Sequence, residues 1–186
     1  MLRKLCLTLA LAVPLTVASA PAQAQRGLQA EYAATPSGPV TLGNITASDE
    51  LLAEDDVVGP RDIERLSNRI RRDFERELSA AGHWADSGAG AVLNVVILDA
   101  TPNRPTSAQI RANPSLSIRS FGIGGAELEA TLVSASGETV AHYRYEWSSP
   151  HIGNSARAGV WTDAERAIGF FADRVAGSLQ AASAGS

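Results

Sequence analysis

The chain holds one cysteine in 186 residues, Cys6, and its single lysine is Lys4. Cys6 sits inside the first apolar stretch, two residues after the basic pair Arg3 and Lys4. A lipid-attachment cysteine would follow a full apolar segment rather than open it. No long hydrophobic run is present either. Leu5 to Val17 is interrupted by Thr8, Pro14 and Thr16, too short and too broken to span a bilayer. Ala22-Gln23-Ala24 has the small-x-small pattern that signal peptidase reads. The expectation is a signal peptide over 1–24, cleaved after Ala24, and a periplasmic protein with no transmembrane segment in its mature form. Cleavage would remove Cys6. The mature chain then has no disulfide, no thiolate nucleophile and no cysteine-based metal site.

Positive charge is also scarce. After residue 24 the chain carries 14 Arg against 20 acidic residues, a formal charge of −6. That argues against nucleic acid as a partner, because duplex binding is built on a basic surface. Apolar residues at 45% and charged residues at 19% nevertheless give an ordinary globular balance.

Catalytic signatures are missing in turn. No Gly-x-Ser-x-Gly elbow occurs. Gly122-Ile123-Gly124-Gly125 precedes a strand rather than a helix, and no lysine follows, so a close backbone approach explains it better than a phosphate loop. His83, His142 and His151 share no metal-ligand spacing. Glu127 and Glu129 sit on one strand face, where a cross-strand Arg144 accounts for Glu129 more simply than glycosidase chemistry. No metal and no cofactor is expected, and the chain does not read as an enzyme.

What is present reads as one small domain. Val40 to Thr46 alternates weakly as a strand, and Asp49 to Asp56 reads as a solvated acidic loop. Pro60 opens a helix whose stripe is Ile63, Leu66, Ile70, Phe74 and Leu78, stopped by Gly82. Ala91 to Ala100 is a short apolar strand of the kind covered on both faces. Thr101 to Ser120 is a long loop with three prolines. Gly124 to Trp147 reads as a hairpin about Ala135-Ser136-Gly137-Glu138, with Ser134 opposite Thr139, Leu132 opposite Ala141, Ala130 opposite Tyr143 and Leu128 opposite Tyr145. Thr162 reads as the cap of a last helix, with Glu165 completing a capping box. Its stripe is Ile168, Phe171, Val175 and Leu179. The fold class is α+β: a mixed or antiparallel sheet of about four strands, with two helices packed on one face. The domain is expected over 40–181, after a flexible leader at 25–39 and before a flexible tail at 182–186.

Three sets of residues invite a functional reading. Arg104, Arg111 and Arg119 lie on the long loop without nearby acids and are the candidate ligand-binding residues. Val92, Val96 and Leu98 lie on the second face of the apolar strand and are the candidate partner face, for a protein partner or a homo-oligomer. Arg61, Arg65, Arg69, Arg72 and Arg76 stripe the first long helix, but interleaved acids make a self-paired face the simpler account.

Asn103-Arg104-Pro105-Thr106, Ser120 to Ala126, Ser136-Gly137-Glu138 and Trp161-Thr162-Asp163-Ala164 resemble an uncharacterised family of proteobacterial envelope proteins with a domain of unknown function. The resemblance runs from about Gly59 to Leu179. The wider group is similar to small α+β domains of outer-membrane-associated lipoproteins and transport-accessory proteins. Many of those carry a lipid-attachment cysteine after the signal peptide, which this chain lacks there. The sequence thus points to a non-catalytic periplasmic accessory protein that binds a protein or an envelope component. The alternatives are a carrier of small anionic ligands using loop 101–120 and a hydrolase with an unrecognised site.

Overall fold

The computed structural model describes residues 27–86 and 90–184. The expected signal peptide, with Cys6, lies outside them. The sheet has five strands in the order β1-β5-β4-β3-β2. In chain order these are β1 (Leu28–Tyr32), β2 (Val40–Ala47), β3 (Ala91–Thr101), β4 (Gly125–Val133) and β5 (Thr139–Ser148). β2 and β3 run parallel and every other neighbouring pair is antiparallel, so the sheet is mixed.

Two long helices, α2 (Pro60–Ala80) and α4 (Thr162–Ala184), pack on each other and on one face of this sheet. The stripe expected for α2 is the observed one: Leu66, Ile70, Phe74 and Leu78 are buried and Ile63 partly so. Phe74 meets Phe171 of α4 edge to face at 5.6 Å, a favoured aromatic geometry. α2 starts at Pro60, and Asp62 accepts a hydrogen bond from the Gly59 amide at 3.1 Å. After α2 the chain turns at Gly82, whose φ of +75° suits a residue without a Cβ.

The hairpin register agrees with the sequence reading from Leu128 opposite Tyr145 up to Leu132 opposite Ala141, and continues to Ala126 opposite Trp147. At the turn a shift places Val133, rather than Ser134, opposite Thr139. The Ser134 amide instead donates to the Glu138 carbonyl.

Further expectations are corrected. Residues 25–39 are not simply a leader, because Leu28–Tyr32 forms edge strand β1 on β5 and Leu28 is buried. The acidic stretch holds a short helix, α1 (Asp49–Ala53), capped by Ser48 and anchored by buried Leu51. The long loop holds another, α3 (Ser107–Ala112), with Thr106 and Gln109 forming its capping box. α4 continues to Ala184, into the stretch expected as a tail.

Thr162 does not cap α4 as expected. Its hydroxyl accepts from the Gly159 amide at 2.8 Å, and the Glu165 carboxylate reaches Arg65 of α2 instead.

Candidate functional site

Three places gather the chemistry-bearing side chains: a buried node at the start of α4, the sheet face turned away from α2 and α4, and the loops joined above the node. The node is built on Asn103, which follows β3. Asn103 and Asp163 are both 0% exposed. The Asn103 Nδ2 donates to Asp163 Oδ2 at 2.5 Å, to Ser155 Oγ at 3.2 Å and to the Gly122 carbonyl at 3.2 Å. Its Oδ1 accepts from the Asp163 amide at 2.8 Å. The other Asp163 oxygen accepts from Arg166 Nη1 at 2.9 Å. The sequence reading did not name this node as a site. Its members nonetheless lie in the motifs that carry the family resemblance, one around Asn103 and one around Asp163.

A buried carboxylate needs such partners, since an unpaired one is costly. All the node's polar atoms face one another, and Ser155 is itself fully buried. The arrangement cross-links four chain segments and presents no exposed nucleophile. It also explains Gly124, where a Cβ would lie 2.8 Å from Asn103 Oδ1; at Gly125 the neighbouring backbone of β5, at the Trp147 carbonyl, leaves no room for one.

Arg104 follows directly. Its Nε donates to the Ala158 carbonyl at 2.6 Å and its Nη2 to the Ala156 carbonyl at 2.8 Å. Nη1 reaches toward the carbonyls of Ile118 and Arg119 at 3.5 Å each. Arg104 therefore staples the long loop to a 3-10 turn (Ile152–Arg157). Arg111 and Arg119 are exposed. A cavity of about 250 Å³ beside Arg104 is lined by Pro102, Asn103, Gln109, Leu116 and Phe121. Neither Arg111 nor Arg119 lines it.

On the face away from the helices, Val92, Val96 and Leu98 are half-buried, whereas Leu93, Val95 and Ile97 on the helix side are fully buried. Leu98 is the extra residue of a bulge, because the register with β4 shifts between Ile97 and Asp99. The strip is interrupted by Asn94, whose Oδ1 accepts from the Asn44 amide at 2.9 Å, and lies next to a charged one. Glu129 stands opposite Arg144 in register, yet Arg144 pairs diagonally with Glu127, Nη2 to Oε1 at 2.5 Å. Glu129 takes His142 at 3.0 Å instead. The diagonal choice relieves Glu127, whose direct partner across the hairpin is Glu146.

The arginine stripe of α2 is largely self-paired. Buried Asp73 accepts from Arg69 at 2.5 Å and from Arg76 at 2.7 Å, and Arg65 pairs with Glu165 at 2.8 Å. Hydrogen bonding to Glu77 raises the pKa of Arg76 further above its ordinary value. Trp161 is buried and donates its indole N–H to Asp62 at 2.8 Å. Among the described residues no three His, Cys, Asp or Glu side chains are arranged to hold a metal ion. No helix among them is long and apolar enough to cross a membrane.

No family model and no curated protein matches the chain. Among solved structures it is similar to a PelC dodecamer from Paraburkholderia phytofirmans, with 13% identity and a TM-score of 0.49 over 82% of this chain and 97% of that one. A minor lipoprotein from Acinetobacter baumannii shows 12% identity and a TM-score of 0.36, covering 77% of this chain and 92% of that one. These likenesses concern the fold alone.

Proposed function

We propose that the protein is a non-catalytic accessory protein of the cell envelope that acts by binding a protein, a second copy of itself included, on the sheet face turned away from α2 and α4. The observation that carries this reading is the strip Val92, Val96 and Leu98. It stands half-buried on a face without a long helix. It is flanked by the Glu129–His142 and Glu127–Arg144 pairs. An apolar centre beside a polar margin is the anatomy of a protein interface. The buried polar groups support it from the other side, because Asn103, Asp163 and Ser155 satisfy one another inside the fold.

Val96→Asp tests the reading. Val96 is half-buried and stands opposite Glu129, so the melting temperature is followed as the folding control while the variant loses association. Light scattering and native mass spectrometry over a concentration series, together with a photo-crosslinker at position 96 in cells, supply the measurement. A wild type that stays monomeric at every concentration and captures nothing through position 96 would sink the proposal.

The rival reading is a small-anion carrier using Arg104, Arg111 and Arg119. It has the cavity beside Arg104 in its favour, but Arg104 already directs its donors at backbone carbonyls. A rise in melting temperature with an anionic metabolite, lost in Arg104→Ala, would favour it.

A further inference from the structure

Between Asp99 and Glu127 the chain has no acidic residue, and it has none between Glu146 and Asp163. These two stretches are neighbours in space. Arg104 bonds the carbonyls of Ala156 and Ala158 while reaching those of Ile118 and Arg119, and Asn103 joins Gly122 to Ser155. Together they present Leu116, Ile118, Phe121, Ile123 and Ile152, each between 36% and 69% exposed. Five of the seven large hydrophobic side chains most exposed among the described residues thus belong to two joined loops. Arg119 and Arg157 lie on the same loops and Arg111 in the last turn of α3 that leads into them, all exposed.

This is unusual in a chain that is acidic overall. The acids gather elsewhere: Glu31, Glu127, Glu129 and Glu146 on β1, β4 and β5, and Asp49 to Asp56 around α1. The α1 region touches the start of α3, where Thr106 Oγ1 donates to the Val57 carbonyl at 2.6 Å. The apolar patch lies past the other end of α3. Acidic residues therefore border the patch without interleaving with it.

Exposed aliphatic and aromatic side chains interspersed with arginine, on a tip held at its base by hydrogen bonds, match one environment well. The apolar side chains enter the acyl boundary of a bilayer while the guanidinium groups stay at anionic headgroups. Exposed apolar patches mark interaction sites, and arginines without interleaved acids favour an anionic bilayer over a protein surface here. We propose that the loops 113–123 and 150–158 dock the protein on an anionic lipid bilayer, with Ile118, Phe121, Ile123 and Ile152 inserting and Arg111, Arg119 and Arg157 facing the headgroups. The surface is separate from the sheet face assigned above to a protein partner.

The test uses the chain from Gln25 onward. It contains every described element and omits Leu5 to Val17, which would bind lipid by itself. Co-sedimentation is measured with vesicles of phosphatidylethanolamine and phosphatidylglycerol, and with vesicles of phosphatidylcholine alone. The wild type binds the anionic vesicles, and rising salt weakens it. Ile118→Ser with Phe121→Ser weakens binding on the order of a hundredfold. Arg111→Gln with Arg119→Gln weakens it about tenfold and flattens the salt dependence. All four positions are exposed, so an unchanged melting temperature confirms that the variants are folded. Val96→Asp leaves vesicle binding intact, which separates this proposal from the sheet-face one. Three results would overturn it: no binding to anionic vesicles at low salt, equal binding by the double serine variant, or equal binding to phosphatidylcholine with no effect of the arginine changes. A lipid-free dimer that the serine pair dissolves, with no vesicle binding, would give the patch to a second copy instead.

Discussion

Asn103 is the residue on which the loops depend. Its side chain bonds Asp163, Ser155 and Gly122 at once, entirely out of water. Asn103→Ala leaves a buried carboxylate oxygen and a carbonyl short of a donor, and should cost about 3 kcal/mol in denaturant unfolding. Asn103→Asp should be worse, because it sets a second carboxylate against Asp163. Tyr143 is the opposite case. Its hydroxyl is buried near Tyr32 and Ser178 but makes no well-formed hydrogen bond with either, so Tyr143→Phe should be close to neutral near neutral pH. Burial raises the Tyr143 pKa well above its ordinary value of 10.0. The unfolded chain therefore ionises this phenol first. The stability linked to it is intact below pH 10.0 and falls as pH rises above that value. Chemical denaturation of the wild type should show this alkaline loss, and Tyr143→Phe should reduce it. An unchanged alkaline slope in the variant would assign the loss to other groups; Tyr145, raised by burial in the same sense, is the first alternative.

Among the elements, β1 separates what local sequence shows from what contact decides. Leu28, Ala30 and Tyr32 alternate with Gln29 and Glu31, a period-two signal, but across only five residues, three of them poor strand formers, it is faint. The strand exists because β5 offers a free edge: Leu28 pairs opposite Tyr145, and Gly27 beside it, at φ +87°, lies against the Tyr145 ring. Leu28→Ala should therefore cost about 3 kcal/mol, as a core truncation does. A cost below about 0.5 kcal/mol, as at a surface position, would return the segment to a leader. By contrast α2 and the β4–β5 hairpin are legible because each carries many residues of one period, and β3 because it is a short β-branched apolar run. α3 left a local signal as well, since Thr106 and Gln109 have capping-box spacing, but the prolines on either side made the segment read as loop.

For the whole molecule, the decisive property is how charge and apolar surface are shared among three faces. The helices cover one side of the sheet. The other side carries Val92, Val96 and Leu98 beside the Glu129–His142 and Glu127–Arg144 pairs. The joined loops carry exposed apolar side chains and arginines. Val96→Asp and the Ile118/Phe121 serine pair lie on different surfaces, so their effects on association and on vesicle binding should be independent. Coupled losses in both variants would mean that partner and membrane are engaged as one assembly. The candidate site was only half legible for the same reason. Val92, Val96 and Leu98 share a face by strand alternation, which any reader of the sequence can count. Arg104, Arg111 and Arg119 share a loop, but a loop has no period, so nothing in their spacing says that Arg104 turns inward to carbonyls while the other two stay in solvent.

The amino-acid sequence by itself determined the fold class, the two amphipathic helices, the hairpin pairing and the absence of a recognisable catalytic motif. Those follow from periodicity, turn chemistry and residue type, which act over a few neighbouring residues. The tertiary structure alone decided the fifth strand, the Asn103–Asp163 node and the meeting of the two acid-free loops. Each joins residues dozens of positions apart, and burial and hydrogen bonding at that range are set by how the elements pack rather than by any local preference.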